Sequence, residues 1–265
     1  MTRHGTDPGR GQDGIERPSQ RAGGDPQRSR GELAHDGLRA HRRHDGAAGT
    51  PEFDTGTTVV GLTAENAVVM AADRKMSLGG RFTANKSVQK VEQVHPTAAM
   101  GISGSVGPAQ DLLRSLRAEA SLYESRRGEP MSVSALAQTA GGLVRGLPVT
   151  PLLGGVEPAP EDGSASAHVF SLDGGGSVIE DEYVATGSGL QVAYGVLERR
   201  YDPTPTVEAA TEAAAAAIAA ASERDTASGN GCTLTTITAE SVETVTREDP
   251  LDVETETATG AGEVA

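Results

Sequence analysis

Two pairs of helical stretches, set among short apolar runs, constrain the fold of this chain more than any other feature. Residues 108–127 carry Leu112, Leu113, Leu116, Ala120 and Tyr123 on one face at helical spacing. Residues 132–147 repeat the pattern more weakly with Ala135, Leu136, Ala140, Leu143 and Val144, interrupted by Gly141-Gly142. A second pair follows at 191–201 and at the alanine-rich 207–224, which Thr206 is placed to cap. Strands are predicted at 57–63 and 67–71, joined by a tight turn at Glu65-Asn66, and at 98–103. Further strands are predicted at 152–156, 168–172, 177–185, 233–238 and 241–246, while 76–90, with Gly79-Gly80, reads as a loop or short hairpin. The order is strands, two helices, strands, two helices, strands. Such segregated runs predict α+β layers rather than a βαβ repeat. A four-layer αββα sandwich, with two central antiparallel sheets flanked by helix pairs, fits this order, and alanine-rich helices allow close approach between layers.

Composition divides the chain. Residues 1–56 are rich in Gly, Arg, Asp and His, with Phe53 the only aromatic, and cannot bury enough apolar surface to offset their ordering entropy. They read as a disordered leader. Residues 57–247 suffice for one domain, and the acidic, Thr/Gly-rich 248–265 read as a frayed tail. The leader is charge-neutral, so the whole net charge of −14 falls on the remainder. With no basic stripe there, nucleic acid is not an expected partner. An acidic excess with only three lysines, Lys75, Lys86 and Lys90, points to a high-salt cytoplasm, where self-repulsion is screened. The single cysteine, Cys232, permits no intrachain disulfide and is expected to be a buried small apolar residue. The leader has no apolar core of the kind a secretory signal needs, and no run is long enough to span a membrane, so a cytoplasmic protein is expected. The histidines show no metal-ligand spacing, and no metal is expected.

The boundary between leader and domain is a Gly56–Thr57 bond. Cutting there would expose Thr57 as a new terminus, carrying a nucleophilic hydroxyl and a basic α-amine on one residue. Thr55 offers a second possible terminus, but Gly56 separates it from the strand, whereas Thr57 leads straight into Thr58-Val59-Val60.

Several motifs appear in a fixed order: Thr57-Thr58-x-x-Gly61, Ala72-Asp73-Arg74, Val88-Gln89-Lys90-Val91 and Gly101-Ile102-Ser103-Gly104, then Thr186-Gly187-Ser188-Gly189 and Arg224-Asp225-Thr226-Ala227-Ser228-Gly229. Over about residues 56–240 the chain resembles the proteasome β subunits of archaeal, haloarchaeal type. The resemblance implies the N-terminal-nucleophile hydrolase fold, an αββα sandwich. It implies Thr57 as nucleophile, Lys90 as the cation beside it, and Asp73 as the buried carboxylate orienting Lys90. Ser188, Asp225 and Ser228 are implied as a polar shell around Thr57, and Gly104 as the oxyanion donor. Ser77, Gly104 and Val106 match positions that hydrogen-bond an extended substrate, and Val88, Ile102 and Val106 match the primary specificity pocket. All three pocket residues are apolar, so cleavage after hydrophobic residues is expected. The segment between Asp73 and Lys90 is one residue longer than in common relatives, with the extra residue near Gly79-Gly80 and Lys86 as the alternative lysine. Taken alone, Asp73 reads as a strand-end aspartate, Gly104 as a strand-end glycine, and Ser188, Asp225 and Ser228 as turn and cap residues.

The resemblance further implies autocatalytic removal of residues 1–56, with Gly56 leaving its carbonyl open to the Thr57 hydroxyl. Heptameric β rings stacked between rings of α subunits are implied, with ATP-dependent unfoldases as separate partners, unfolded proteins as substrates, and no cofactor. A non-catalytic β-type subunit, the hexameric bacterial threonine protease and a small-molecule amidase of the same fold remain open readings.

Overall fold

The computed structural model describes residues 54–159, 163–252 and 257–258. The first 53 residues of the expected leader, and the end of the tail from 259, lie outside the described residues.

Alternation along the strands dictates the layering. In β2 (Thr58–Thr63) and β3 (Val68–Asp73) almost every residue is buried, because both sheet faces are covered. Val59, Val68, Met70 and Ala72 point to one core, while Val60, Leu62, Val69 and Ala71 point to another. Before them, β1 (Asp54–Thr55) is a two-residue strand. A hairpin follows, β4 (Met76–Leu78) and β5 (Phe82–Asn85), turned by Gly79 and Gly80. Then come β6 (Val91–His95), β7 (Ala98–Gly101) and β8 (Gly104–Ser105). Helices α1 (Val106–Arg127) and α2 (Val133–Leu143) are separated by a left-handed turn at Gly128 and the Ser132 cap, which accepts from the Ala135 N–H at 3.2 Å. The chain continues through β9 (Leu152–Glu157), β10 (Ser166–Leu172), β11 (Val178–Asp181) and β12 (Tyr183–Gly187). Helices α3 (Leu190–Arg200) and α4 (Val207–Arg224) lead to β13 (Cys232–Ile237), β14 (Val242–Arg247) and β15 (Thr257–Ala258). Thr206 caps α4 as expected, accepting from the Ala209 N–H at 3.3 Å.

One antiparallel sheet has the order β11-β10-β9-β7-β6 and the other β12-β2-β3-β13-β14-β15. Helices α1 and α2 cover the first sheet through Leu112, Leu116, Leu136, Met100, Leu153 and Phe170. Helices α3 and α4 cover the second, where Ala210, Ala213, Ala214 and Ala217 let α4 lie close on β2 and β3. Between the sheets sit Val59, Met70, Ala99, Leu152 and Val169. The result is the expected αββα sandwich. Truncating a fully buried leucine such as Leu136 or Leu153 to alanine costs about 2–5 kcal/mol.

Two elements differ from the expectation. The run 177–185 is not one strand: it changes sheets at Glu182, with β11 pairing β10 and β12 pairing β2. The unforeseen β6 forms an edge of the first sheet, and its register against β7 shifts between Gln93 and His95.

Candidate active site

Thr57 lies between β1 and β2 and is 2% exposed. Its backbone N–H donates to Ser188 Oγ at 3.2 Å. Ser188 Oγ in turn donates to Asp225 Oδ2 at 2.5 Å, and Ser228 Oγ donates to the same oxygen at 2.7 Å. The Ser228 hydroxyl also lies 2.7 Å from Thr58 Oγ1. Ser188 comes from the loop before α3, and Asp225 and Ser228 from the exit of α4. Three residues distant in sequence therefore close one hydroxyl–carboxylate network around the start of β2.

On the other side, Asp73 ends β3 fully buried. Its Oδ1 accepts from Lys90 Nζ at 2.7 Å and from the Thr58 N–H at 2.9 Å. Its Oδ2 accepts from the backbone N–H groups of Lys75, at 3.1 Å, and Gly229, at 2.9 Å. Burial pushes the Asp73 carboxyl up from the ordinary range, and Lys90 with its backbone donors pulls it back. Lys90 is buried as well, and Nζ also donates to the Lys75 carbonyl at 2.5 Å. Burial pushes its ammonium down from the usual lysine value, opposed by the Asp73 carboxylate. Lys86 is exposed, so Lys90 is the lysine that meets Asp73.

Thr57 and Lys90 line a cavity of about 140 Å³ with Val88, Ile102 and Val106, the residues expected around a specificity pocket, and with Gly104, expected as the oxyanion donor. Three polar residues not anticipated from the sequence, Gln89, Glu92 and Gln110, line it too. Their signal was present: Glu92 follows Lys90 at strand spacing, and Gln110 follows Val106 by one helical turn. Gly104 has φ +108, and a Cβ there would press on the Pro148 carbonyl and on Val149 Cα, so only glycine fits.

Residues 54–56 occupy the groove beside this cavity. Asp54 and Thr55 pair antiparallel with Ser105 and Gly104. The Gly56 N–H donates to the buried Ser77 Oγ at 3.2 Å. A Cβ on Gly56 would collide with the Ala227 side chain, so close packing also demands glycine at this bond. The segment preceding Thr57 thus lies as an added strand held by Ser77 and β8. Among the described residues, no group of three or more His, Cys, Asp or Glu side chains could hold a metal ion, and no helix is long and apolar enough to cross a membrane.

The four-layer sandwich with a threonine, a buried lysine–aspartate pair and a serine–aspartate network at one sheet end defines the class of N-terminal-nucleophile hydrolase folds. The sequence pattern of the family "Proteasome subunit" matches residues 53–237. The chain is 52% identical to the proteasome subunit beta of Halomicrobium mukohataei over 208 residues, 77% of this chain and 85% of that one. It is 54% identical to that of Halorhabdus utahensis over 201 residues, covering 75% and 83%. It is likewise 54% identical to that of Halobacterium salinarum over 194 residues, covering 72% and 77%. The chain belongs to the proteasome subunit family, with the β subunits of haloarchaea. As such it assembles with other proteasome subunits into a proteolytic core particle.

Proposed function

We propose that this chain is a threonine endopeptidase that matures by cutting its own Gly56–Thr57 bond, and that residues 1–56 are the leader removed. The observation that carries the reading is the seating of residues 54–56 as an added strand on Ser77 and β8, leading directly into Thr57. In the uncut chain, Thr57 Oγ attacks the Gly56 carbonyl carbon. The C–N bond breaks, the nitrogen becomes the Thr57 α-amine, and the Gly56 acyl group sits on Oγ as an ester until water releases it. In turnover, Oγ attacks a substrate carbonyl in the same place. The Thr57 α-amine accepts the Oγ proton in turnover, and the Lys90 ammonium, held by Asp73, stabilises the charge that develops as Oγ attacks. Asp73 orients Lys90; Ser188, Asp225 and Ser228 fix the Thr57 backbone and position its α-amine, which carries the proton to the leaving amine. The Gly104 N–H receives the oxyanion, a donor typically worth about 2.7–4 kcal/mol.

Substrates are unfolded proteins, held by main chain along β8 and cut after hydrophobic residues that enter the cavity at Val88, Ile102 and Val106. Heptameric β rings stacked between α rings, with ATP-driven unfoldases feeding them, enclose the sites in the cytoplasm. N-terminal sequencing and intact mass of the purified particle test the reading. A terminus at Thr57, lost together with peptidase activity in Thr57→Ala, is expected. An active particle that keeps its leader, or a Thr57→Ala chain that loses it unaided, would overturn it.

A further inference from the structure

The cavity beside Thr57 has charged groups at both ends, and each is already paired. Lys90, next to Thr57, is held by Asp73. At the far end Glu92 is held by Arg117, whose Nη2 lies 3.1 Å from Glu92 Oε2. Arg117 is fixed from a second direction: its Nε donates to the Gln93 carbonyl at 2.8 Å. Its place follows from helical spacing. Val106, Gln110 and Leu113 form the α1 stripe along the cavity, and Arg117 is the next residue of that stripe. Beyond Arg117 begins a separate cavity of about 560 Å³, lined by Gln93, His95 and Glu124. The Glu92–Arg117 pair is therefore the partition between the two.

We propose that this ion pair is the floor of the cavity receiving the side chain before the cut, and that Arg117, by occupying the Glu92 carboxylate, keeps the cavity selective for uncharged side chains. This rests on the assignment of that cavity under the proposed function and adds what rejects charge. An unpaired Glu92 would offer an anion to an incoming Lys or Arg; an unpaired Arg117 would offer a cation to an incoming Glu. With both present the floor presents neither, and a charged side chain entering would lose water without a partner.

The test uses the purified assembled particle and peptides differing only in the residue before the cut: Leu, Tyr, Arg or Glu. Wild type is expected to favour Leu and Tyr. Arg117→Met is expected to raise the Arg-to-Leu ratio of kcat/KM by about tenfold, and Glu92→Gln to raise the Glu-to-Leu ratio by about as much. The double variant should return both ratios to wild type. Both side chains are about 40% exposed (Arg117 43%, Glu92 39%), so the gains should shrink in molar salt, where the screening length is about 3 Å. Should Arg117→Met fail to assemble, the Glu92→Gln arm decides alone. Unchanged ratios in the single variants would overturn the proposal, as would an Arg gain persisting in the double variant, which would mark a merely widened cavity. A wild type that already prefers Arg would instead overturn the cleavage preference on which the proposal rests.

Discussion

Two ion pairs of like composition lie two residues apart along the same strand side, and burial makes them different objects. Lys90–Asp73 is 6% and 0% exposed in its side chains, and the carboxylate takes three backbone N–H groups besides the lysine. Glu92–Arg117 is roughly two-fifths exposed, and its arginine takes one further partner, a carbonyl. In the first, loss of a partner leaves a charge in a low-dielectric site. In the second, water replaces whatever is lost. A buried pair can therefore be tied to chemistry, since its proton affinity depends on its surroundings, whereas a half-exposed pair is suited to selection at a rim or floor.

The largest effect should come from breaking the buried pair unequally. Asp73→Ala strands the Lys90 cation and three backbone donors together, and should cost about 3–5 kcal/mol of stability as well as activity. Lys90→Ala leaves Asp73 with its three N–H donors, so turnover should fall by about 10²-fold or more while the fold survives. Thermal unfolding and peptide turnover measured on both variants separate the two. If Lys90→Ala unfolds as readily as Asp73→Ala, the backbone donors do not carry the weight assigned to them.

Lys90→Arg sharpens the point with pH. Burial lowers the Lys90 pKa, so its ammonium is depleted as pH rises, and activity needing that cation falls with rising pH. A guanidinium keeps its proton throughout the range. The variant should retain the Asp73 contact yet lose the limb of the pH–rate profile that reports Lys90. An unchanged profile would mean that the limb does not report Lys90.

The sequence carried these two pairs unequally too. Lys90 and Asp73 stand in motifs whose order resembles a known family, and the fold around them follows from local signals: the apolar run of β3, the Thr206 cap, the alanine stripe of α4. What it did not yield depends on tertiary neighbours. Strand β6 was missed because Val91-Glu92-Gln93-Val94-His95 mixes polar residues as an edge strand tolerates. The 177–185 run looked continuous because only the existence of two sheets explains a change of partner at Glu182. Asp54–Thr55 fell within a leader-like composition, and its pairing with Gly104 is a contact across some fifty residues. Glu92 and Gln110 lie on the correct faces of their elements, but only the docking of α1 on β6 makes those faces a cavity.

Cys232 contrasts with the reactive groups. It begins β13 opposite Asp73, fully buried, and desolvation raises its thiol to about 11. The thiolate is the reactive form, so alkylation at pH 8 should be negligible in the folded particle and rapid in denaturant. Labelling read by intact mass checks this. Modification at a native rate near that of a free thiol would mean that this end of β13 opens.

The smallest effect is expected at the exposed pair. Arg117→Met should change stability by no more than about 0.2–1 kcal/mol, because a half-exposed ion pair is largely replaced by hydration and is screened by salt. The methionine keeps the helical preference of α1 and most of the aliphatic contact, so the loss is confined to the Glu92 ion pair and the Gln93 carbonyl bond. Its midpoint of thermal unfolding should therefore sit near wild type and far above that of Asp73→Ala. A destabilisation approaching that of Asp73→Ala would mean that Arg117 holds α1 against β6 as a structural clamp. Its effect on substrate choice would then follow from a displaced wall rather than from charge.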